Sequence, residues 1–97
     1  MANKVLTLEE VRALEDGARV WVEMSRKSYF ESQVHHFSAA ERRSIAEIRE
    51  PRLIDMSGGW FPINAEWVND EYRVWSLPVA PTPDELAAWP WEKGGAT

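Results

Sequence analysis

Leu53-Ile54-Asp55-Met56-Ser57-Gly58-Gly59-Trp60-Phe61-Pro62-Ile63 reads as two short apolar arms joined by a polar turn. Branched and aromatic residues flank both sides, and the glycines supply the positive φ that a tight hairpin turn requires. Pro62 has no N–H to give to a ladder, so the second arm should lie at a sheet edge or end early. A hairpin here makes an antiparallel sheet the frame on which the rest of the chain is read.

Upstream, Ala18-Arg19-Val20-Trp21-Val22-Glu23-Met24 alternates with period two. Ala18, Val20, Val22 and Met24 face one way and Arg19, Trp21 and Glu23 the other, which predicts a half-buried strand. Ser25-Arg26-Lys27-Ser28 is a polar turn, and Tyr29 to Phe37 reads as the returning strand. Phe30, Val34 and, if the alternation continues, His36 share one face; Tyr29, His35 and Phe37 share the other. Ser38-Ala39-Ala40-Glu41 has the spacing of a capping box and could open a helical turn. Ile45 and Ile48 fit that helix or a further strand, and periodicity does not separate the two. Glu50-Pro51 ends either element.

Before the first strand, Thr7-Leu8-Glu9-Glu10 is a capping box that opens a short amphipathic helix over about 8–15. Leu8, Val11 and Leu14 recur at helical spacing, and Gly17 follows where a left-handed C-cap belongs. Beyond the hairpin, Asn69-Asp70 marks a turn and Glu71 to Leu77 a last strand. Pro78, Pro81 and Pro83 then stop regular pairing. Thr82 caps a helical turn over about 83–89, with Pro83 first and Asp84 and Glu85 in its first turn. Pro90 ends it, and 92–97 should fray.

The expectation is a single domain over 1–97, mainly β over 18–77 with short flanking helices. A small antiparallel SH3-like, partly closed barrel suits the pattern. The alternative is an α+β fold with one bent antiparallel sheet. At 97 residues without cysteine, neither a disulfide nor a cysteine-ligated metal can stiffen so small a core. No apolar run is long enough to span a membrane. A net charge of −5 argues against nonspecific nucleic-acid or membrane binding.

Catalytic signatures are lacking, so no enzyme, cofactor or metal is expected. His35 and His36 are adjacent, and on a strand neighbours point to opposite faces, so they cannot chelate one ion together. Ser57-Gly58-Gly59 lacks the Lys-Ser/Thr of a phosphate loop and is better read as a turn. The tryptophans say more. Trp21, Trp60, Trp67, Trp75, Trp89 and Trp91 are more indole than a domain of this size can hide, and such rings serve as interface anchors or stacking platforms. The plainer reading is that large rings close the ends of the barrel. It suits Trp21 and Trp75 better than Trp60 and Trp67. Trp89-Pro90-Trp91 reads as a plug folded onto the body, or else as a docking motif.

Charge is uneven. Residues 1–52 hold nine basic and nine acidic side chains, and residues 53–97 two and seven, so the whole excess lies in the second part. Arg26 and Lys27, then Arg42, Arg43, Arg49 and Arg52, form two basic clusters. They are an anion site if they meet in space, or a solvated face neutralised by Glu41, Glu47 and Glu50.

Leu6 to Leu14 with Gly17 and Val20-Trp21-Val22-Glu23 resembles the opening of small uncharacterised phage and prophage proteins with an SH3-like barrel. Gly58-Gly59-Trp60, Glu71-Tyr72-Arg73-Val74-Trp75 and the Pro81–Trp91 ending are similar to their later strands and close. The resemblance covers about half the chain, and residues 28–52 depart from it. It implies a phage origin, action in the host bacterial cytoplasm and no catalytic residues.

The expected function is therefore stoichiometric binding by an anti-defence factor. In one form it is a sponge for a host immune nucleotide. Trp60 or Trp67 would stack on the base, Arg42, Arg43 or Arg73 would pair with phosphates, and Asn69 or Asp70 would read polar edges. A pocket shared between subunits of a homo-oligomer would offset the small domain. In the alternative form it covers a host defence protein, such as a nuclease, through Trp89 and Trp91 beside Asp84 and Glu85. A minor virion or assembly protein is the remaining class.

Overall fold

A computed structural model describes residues 3–25 and 28–91. Arg26, Lys27 and the expected fraying of 92–97 lie outside the described residues. Helix α1 (Leu8–Arg12) is followed by strands β1 (Arg19–Met24), β2 (Gln33–Ser38), β3 (Glu41–Arg42), β4 (Ile48–Arg49), β5 (Arg52–Asp55), β6 (Trp60–Pro62) and β7 (Tyr72–Trp75), then helix α2 (Pro83–Ala88). Five strands form one antiparallel sheet in the order β6-β5-β2-β1-β7, and β3-β4 is a separate small hairpin. The sheet curls into a half-barrel, as a small SH3-like, partly closed barrel does.

The quoted hairpin forms with Leu53 opposite Phe61 and Arg52 opposite Pro62. Gly58 takes φ +92°, and Asp55 Oδ1 accepts from the backbone N–H of Ser57 (2.8 Å) and Gly59 (3.0 Å). Pro62 sits on β6, an outer strand of the sheet, where a missing N–H costs no ladder bond. The Tyr72 hydroxyl donates to the Pro62 carbonyl at 2.7 Å and so ties β7 to β6, the strands at the two ends of the sheet order.

The alternation expected of β1 holds. Val20 and Val22 enter a core with Leu6, Val11, Phe37, Leu53, Ile63, Val68, Tyr72 and Val74, onto which Leu8, Leu14 and Met24 pack. The Thr7–Glu10 capping box forms, but α1 ends at Arg12. Gly17 keeps its positive φ (+85°) for another purpose: its N–H donates to Phe37 O at 2.7 Å, at the mouth of β1.

β2 starts at Gln33, not Tyr29. Ser32 Oγ accepts the Met24 N–H at 2.9 Å, so a side chain replaces the next ladder bond and Tyr29 and Phe30 are released to the surface. The Ser38–Glu41 capping box does not form, because Ser38 is paired with Arg52 in the sheet. Residues 41–49 make the β3–β4 hairpin, which settles the open choice between helix and strand.

All of β7 is buried, on both faces. Tyr72 and Val74 point into the core, while Arg73 and Trp75 face outward opposite Glu23 and Trp21 of β1. Asn3, buried near the start of the chain, accepts from the Leu77 N–H (2.8 Å) and donates Nδ2 to Val79 O (3.0 Å). Its own N–H goes to Glu85 of α2, whose Thr82–Glu85 capping box is complete.

Candidate functional site

The β3–β4 hairpin stands beside the β5–β6 edge, and between them lies a groove of about 350 Å³. Arg43, Glu47, Arg49, Glu50, Arg52 and Trp60 supply its side-chain chemistry. Trp60 opens β6 and is 53% exposed, because its side of the pleat turns away from the core. The register places Arg52 opposite Pro62 and Ile54 opposite Trp60, so these side chains share the outer face. The Arg52 guanidinium lies 4.2 Å from the Trp60 ring centroid.

Two carboxylates of this hairpin, Glu41 and Glu47, stand within 4 Å of a cation. Glu41 Oε1 accepts from Arg49 Nη1 at 3.3 Å and lies 3.7 Å from Arg43 Nε. Arg43 Nη1 also stands 3.7 Å from Glu47. Even so, Arg49 Nε and Arg52 Nε are buried without a hydrogen-bond partner among the described residues. An unsatisfied buried donor costs about 1–3 kcal/mol, more when charged. Three guanidinium groups lining a groove beside an exposed indole suit an anion that carries an aromatic ring.

The residues singled out in the sequence are dispersed. Trp60 and Arg43 meet in this groove. Arg42 is on the same hairpin, exposed, with Nη1 donating to Ile45 O at 3.3 Å. Trp67 lies elsewhere, in an aromatic recess with Met24, Tyr29, Phe30, Phe61 and Tyr72. Asn69 (φ +67°) donates Nδ2 to Leu6 O at 3.4 Å, and the Asp70 N–H donates to Trp67 O, so both shape a turn.

Arg73 requires a correction as a phosphate contact. It is 4% exposed and donates Nε to Glu23 Oε1 at 2.6 Å and Nη1 to the Trp89 carbonyl. Its guanidinium lies 4.5 Å from the Trp91 ring centroid and 5.2 Å from that of Trp75. The same Glu23 carboxylate accepts from Trp75 Nε1 (2.8 Å) and Trp91 Nε1 (3.2 Å). Trp91 is therefore a plug rather than a free anchor, and Trp89 stays 41% exposed beside it.

Sequence reading counted Arg49 and Arg52 in a basic cluster that could form an anion site, but it did not set them beside Trp60. For Arg52 the signal was present: counting back across the Gly58-Gly59 turn sets it two residues from the partner of Trp60 on the same face. For Arg49 there was none, since its position depends on the hairpin that periodicity left open.

Elsewhere the chemistry is sparse. His35 is 1% exposed in the core, with Nδ1 3.1 Å from Gln33 O and Nε2 unpartnered among the described residues. Burial lowers its pKa below the ordinary 6.5, outweighing the Gln33 carbonyl and the Asp55 charge that favour the cation. His36 is exposed on the opposite face. Among the described residues no group of three or more His, Asp or Glu side chains could hold a metal. No helix among them is long and apolar enough to cross a membrane. No protein-family model matches the chain, and neither a curated protein nor a solved structure matches it.

Proposed function

We propose that this chain is a non-catalytic binding protein that holds a small nucleotide in the groove over Trp60. The observation that carries this reading is a half-exposed indole, Trp60, in a groove lined by the three arginines Arg43, Arg49 and Arg52. A phosphoryl group pairs with the arginine cluster, and the base stacks on the exposed part of Trp60, a contact worth about 1–3 kcal/mol. In the phage setting that the sequence resemblance implies, such binding sequesters a host immune nucleotide one for one.

The test is a nucleotide panel read by thermal shift and tryptophan fluorescence, followed by heat denaturation and analysis of the released ligand. A raised melting temperature and return of the ligand intact are expected. An altered ligand would mean catalysis, and silence across the panel would end the reading.

A second reading, cover of a host defence protein, has one observation in its favour. Tyr29 is fully exposed and Phe30 67% exposed at the rim of the recess that contains Trp67. On that reading Phe30→Ser releases a co-purifying host protein while Trp60→Ala retains it.

A further inference from the structure

We infer that the aromatic recess beside Trp67 receives an arginine side chain from the surface of a partner protein. The inference rests on the second reading above, cover of another protein, and adds the chemistry of what is covered. Tyr72 and Phe61 form the floor of the recess. Tyr72 is 1% exposed, its hydroxyl is spent on the Pro62 carbonyl, and the two ring centroids are 5.6 Å apart. Tyr29, Phe30 and Trp67 stand exposed at the rim. Phe30 meets Phe61 at 5.9 Å with ring planes 81° apart, so two aromatic walls join near a right angle.

The rim is held in place before any partner arrives. Ser28 Oγ accepts the Phe30 N–H at 3.0 Å, and Asn64 Oδ1 accepts the Trp67 N–H at 2.9 Å. The Trp67 carbonyl accepts in turn from the Glu71 N–H at 2.8 Å. Rings fixed in this way lose little freedom on docking. Large aromatics gathered at one exposed rim are the usual mark of an interaction surface.

Charge decides which side chain enters. Glu71 lines the recess, Glu31 follows Phe30 and Glu66 precedes Trp67, and all three are exposed. None of them forms an ion pair among the described residues. Arg26 and Lys27 precede Ser28 in the chain and Asp70 precedes Glu71, so the sequence sets four acids here against two bases. The negative faces of the rings act in the same sense and favour a cation. Elsewhere the chain covers indoles with its own arginines, Arg52 on Trp60 at 4.2 Å and Arg73 on Trp91 at 4.5 Å. Among the described residues no cation lies over Trp67 or the rings beside it. The recess holds about 290 Å³, just below the roughly 300–1,000 Å³ of sites that enclose a whole small molecule, and it suits one long side chain. A guanidinium is planar, stacks on rings and is weakly hydrated, which favours arginine over lysine.

The experiment titrates the full chain with blocked pentapeptides Gly-Ser-X-Ser-Gly, where X is Arg, Lys, Leu or Glu, followed by tryptophan fluorescence and amide chemical shifts. The arginine peptide should move the Trp67 indole and the amides of 28–31 and 67–72. It should bind about fivefold or more tighter than the leucine peptide, the gain expected of a cation over exposed rings. Raising salt from about 0.05 M to about 0.5 M should weaken the arginine peptide and spare the leucine peptide. Glu71→Gln keeps the shape of an exposed side chain, and it should weaken the arginine peptide several-fold with the leucine peptide unchanged. Phe30→Ser should weaken both.

Leucine binding as tightly as arginine would overturn the inference and leave the cover reading standing, with an apolar anchor in the recess. Lysine matching arginine would overturn the guanidinium assignment, and preference for the glutamate peptide would overturn the sign of the charge. A dimer of the free chain that buries Trp67, seen by sedimentation, would give the recess to a second copy. Silence from every peptide at about 10 mM would overturn the inference, while release of the host protein by Phe30→Ser still tests the cover reading by itself.

Discussion

Asp55 shows how one side chain can fix a turn. Its Oδ1 takes two backbone N–H donors, and the Cβ that an alanine at position 59 would carry lies 2.8 Å from its Oδ2. Gly58 adds a left-handed φ of +92°, with open space around it. Asp55→Ala should therefore cost about 1–2 kcal/mol, and Gly58→Ala about 1–2 kcal/mol through backbone strain, measured by urea denaturation. Because this turn sets which residues face Arg52, Gly58→Ala should also weaken nucleotide binding. Trp60→Ala should leave stability nearly unchanged, since the ring is half in solvent, yet abolish the nucleotide-dependent melting shift. Equal loss of stability in Trp60→Ala and Gly58→Ala would contradict this division of roles.

Elements in this chain were legible where a local pattern settles the structure, and illegible where a distant partner does. Alternation in β1, the glycine turn before β6 and the Thr7 and Thr82 caps are local, and they formed. The Ser38–Glu41 capping box is also local, but Ser38 had a stronger claim from Arg52 in the ladder. Tyr29 and Phe30 looked like strand residues, but the Ser32 hydroxyl takes the Met24 N–H that the continued register would set opposite Glu31, and the ladder stops at Gln33. Arg73 looked free because Glu23, its partner, lies 50 residues away. Of the groove, Trp60 and the arginine cluster were legible as candidates, and their meeting beside the β3–β4 hairpin was not.

The β1–β7 pair carries a test at this scale. Glu23 holds Arg73, Trp75 and Trp91 through one carboxylate. Glu23→Gln leaves Arg73 buried without its counter-charge and should destabilise by about 3–5 kcal/mol. Trp91→Ala should cost less and leave the sheet intact, with Arg73 more accessible. Urea midpoints of the two variants, with far-ultraviolet circular dichroism of the native state, check the order.

For the whole molecule, pH is the simplest probe. His35 is neutral in the folded state because burial lowers its pKa, whereas in the unfolded chain it titrates near 6.5. Between those two values the unfolded state binds more protons, so stability is full above about pH 6.5 and declines as pH falls below it. Glu10 and Glu85 act lower. Their capping-box backbone bonds, to Thr7 and Thr82 respectively, hold both below the ordinary 4.5, and the stability they add is lost as pH drops through that range. Thermal melts from pH 7.5 to 5 should show a falling melting temperature that His35→Leu flattens. A wild-type profile level over that interval would refute a buried neutral imidazole.

The sheet order has a consequence for how the chain is made. β1 lies between β2 and β7, so one of its edges finds a mate at once and the other waits for residues translated much later. At about 5–20 residues per second, that edge stays bare on the ribosome for several seconds. During that interval Trp21 and Glu23 have neither Trp75 nor Arg73 to meet, and a nascent neighbour's strand could take the vacant side. Slowing synthesis between positions 24 and 72 with rare codons should then raise the share of chains lost to aggregation, whatever the finished protein's stability.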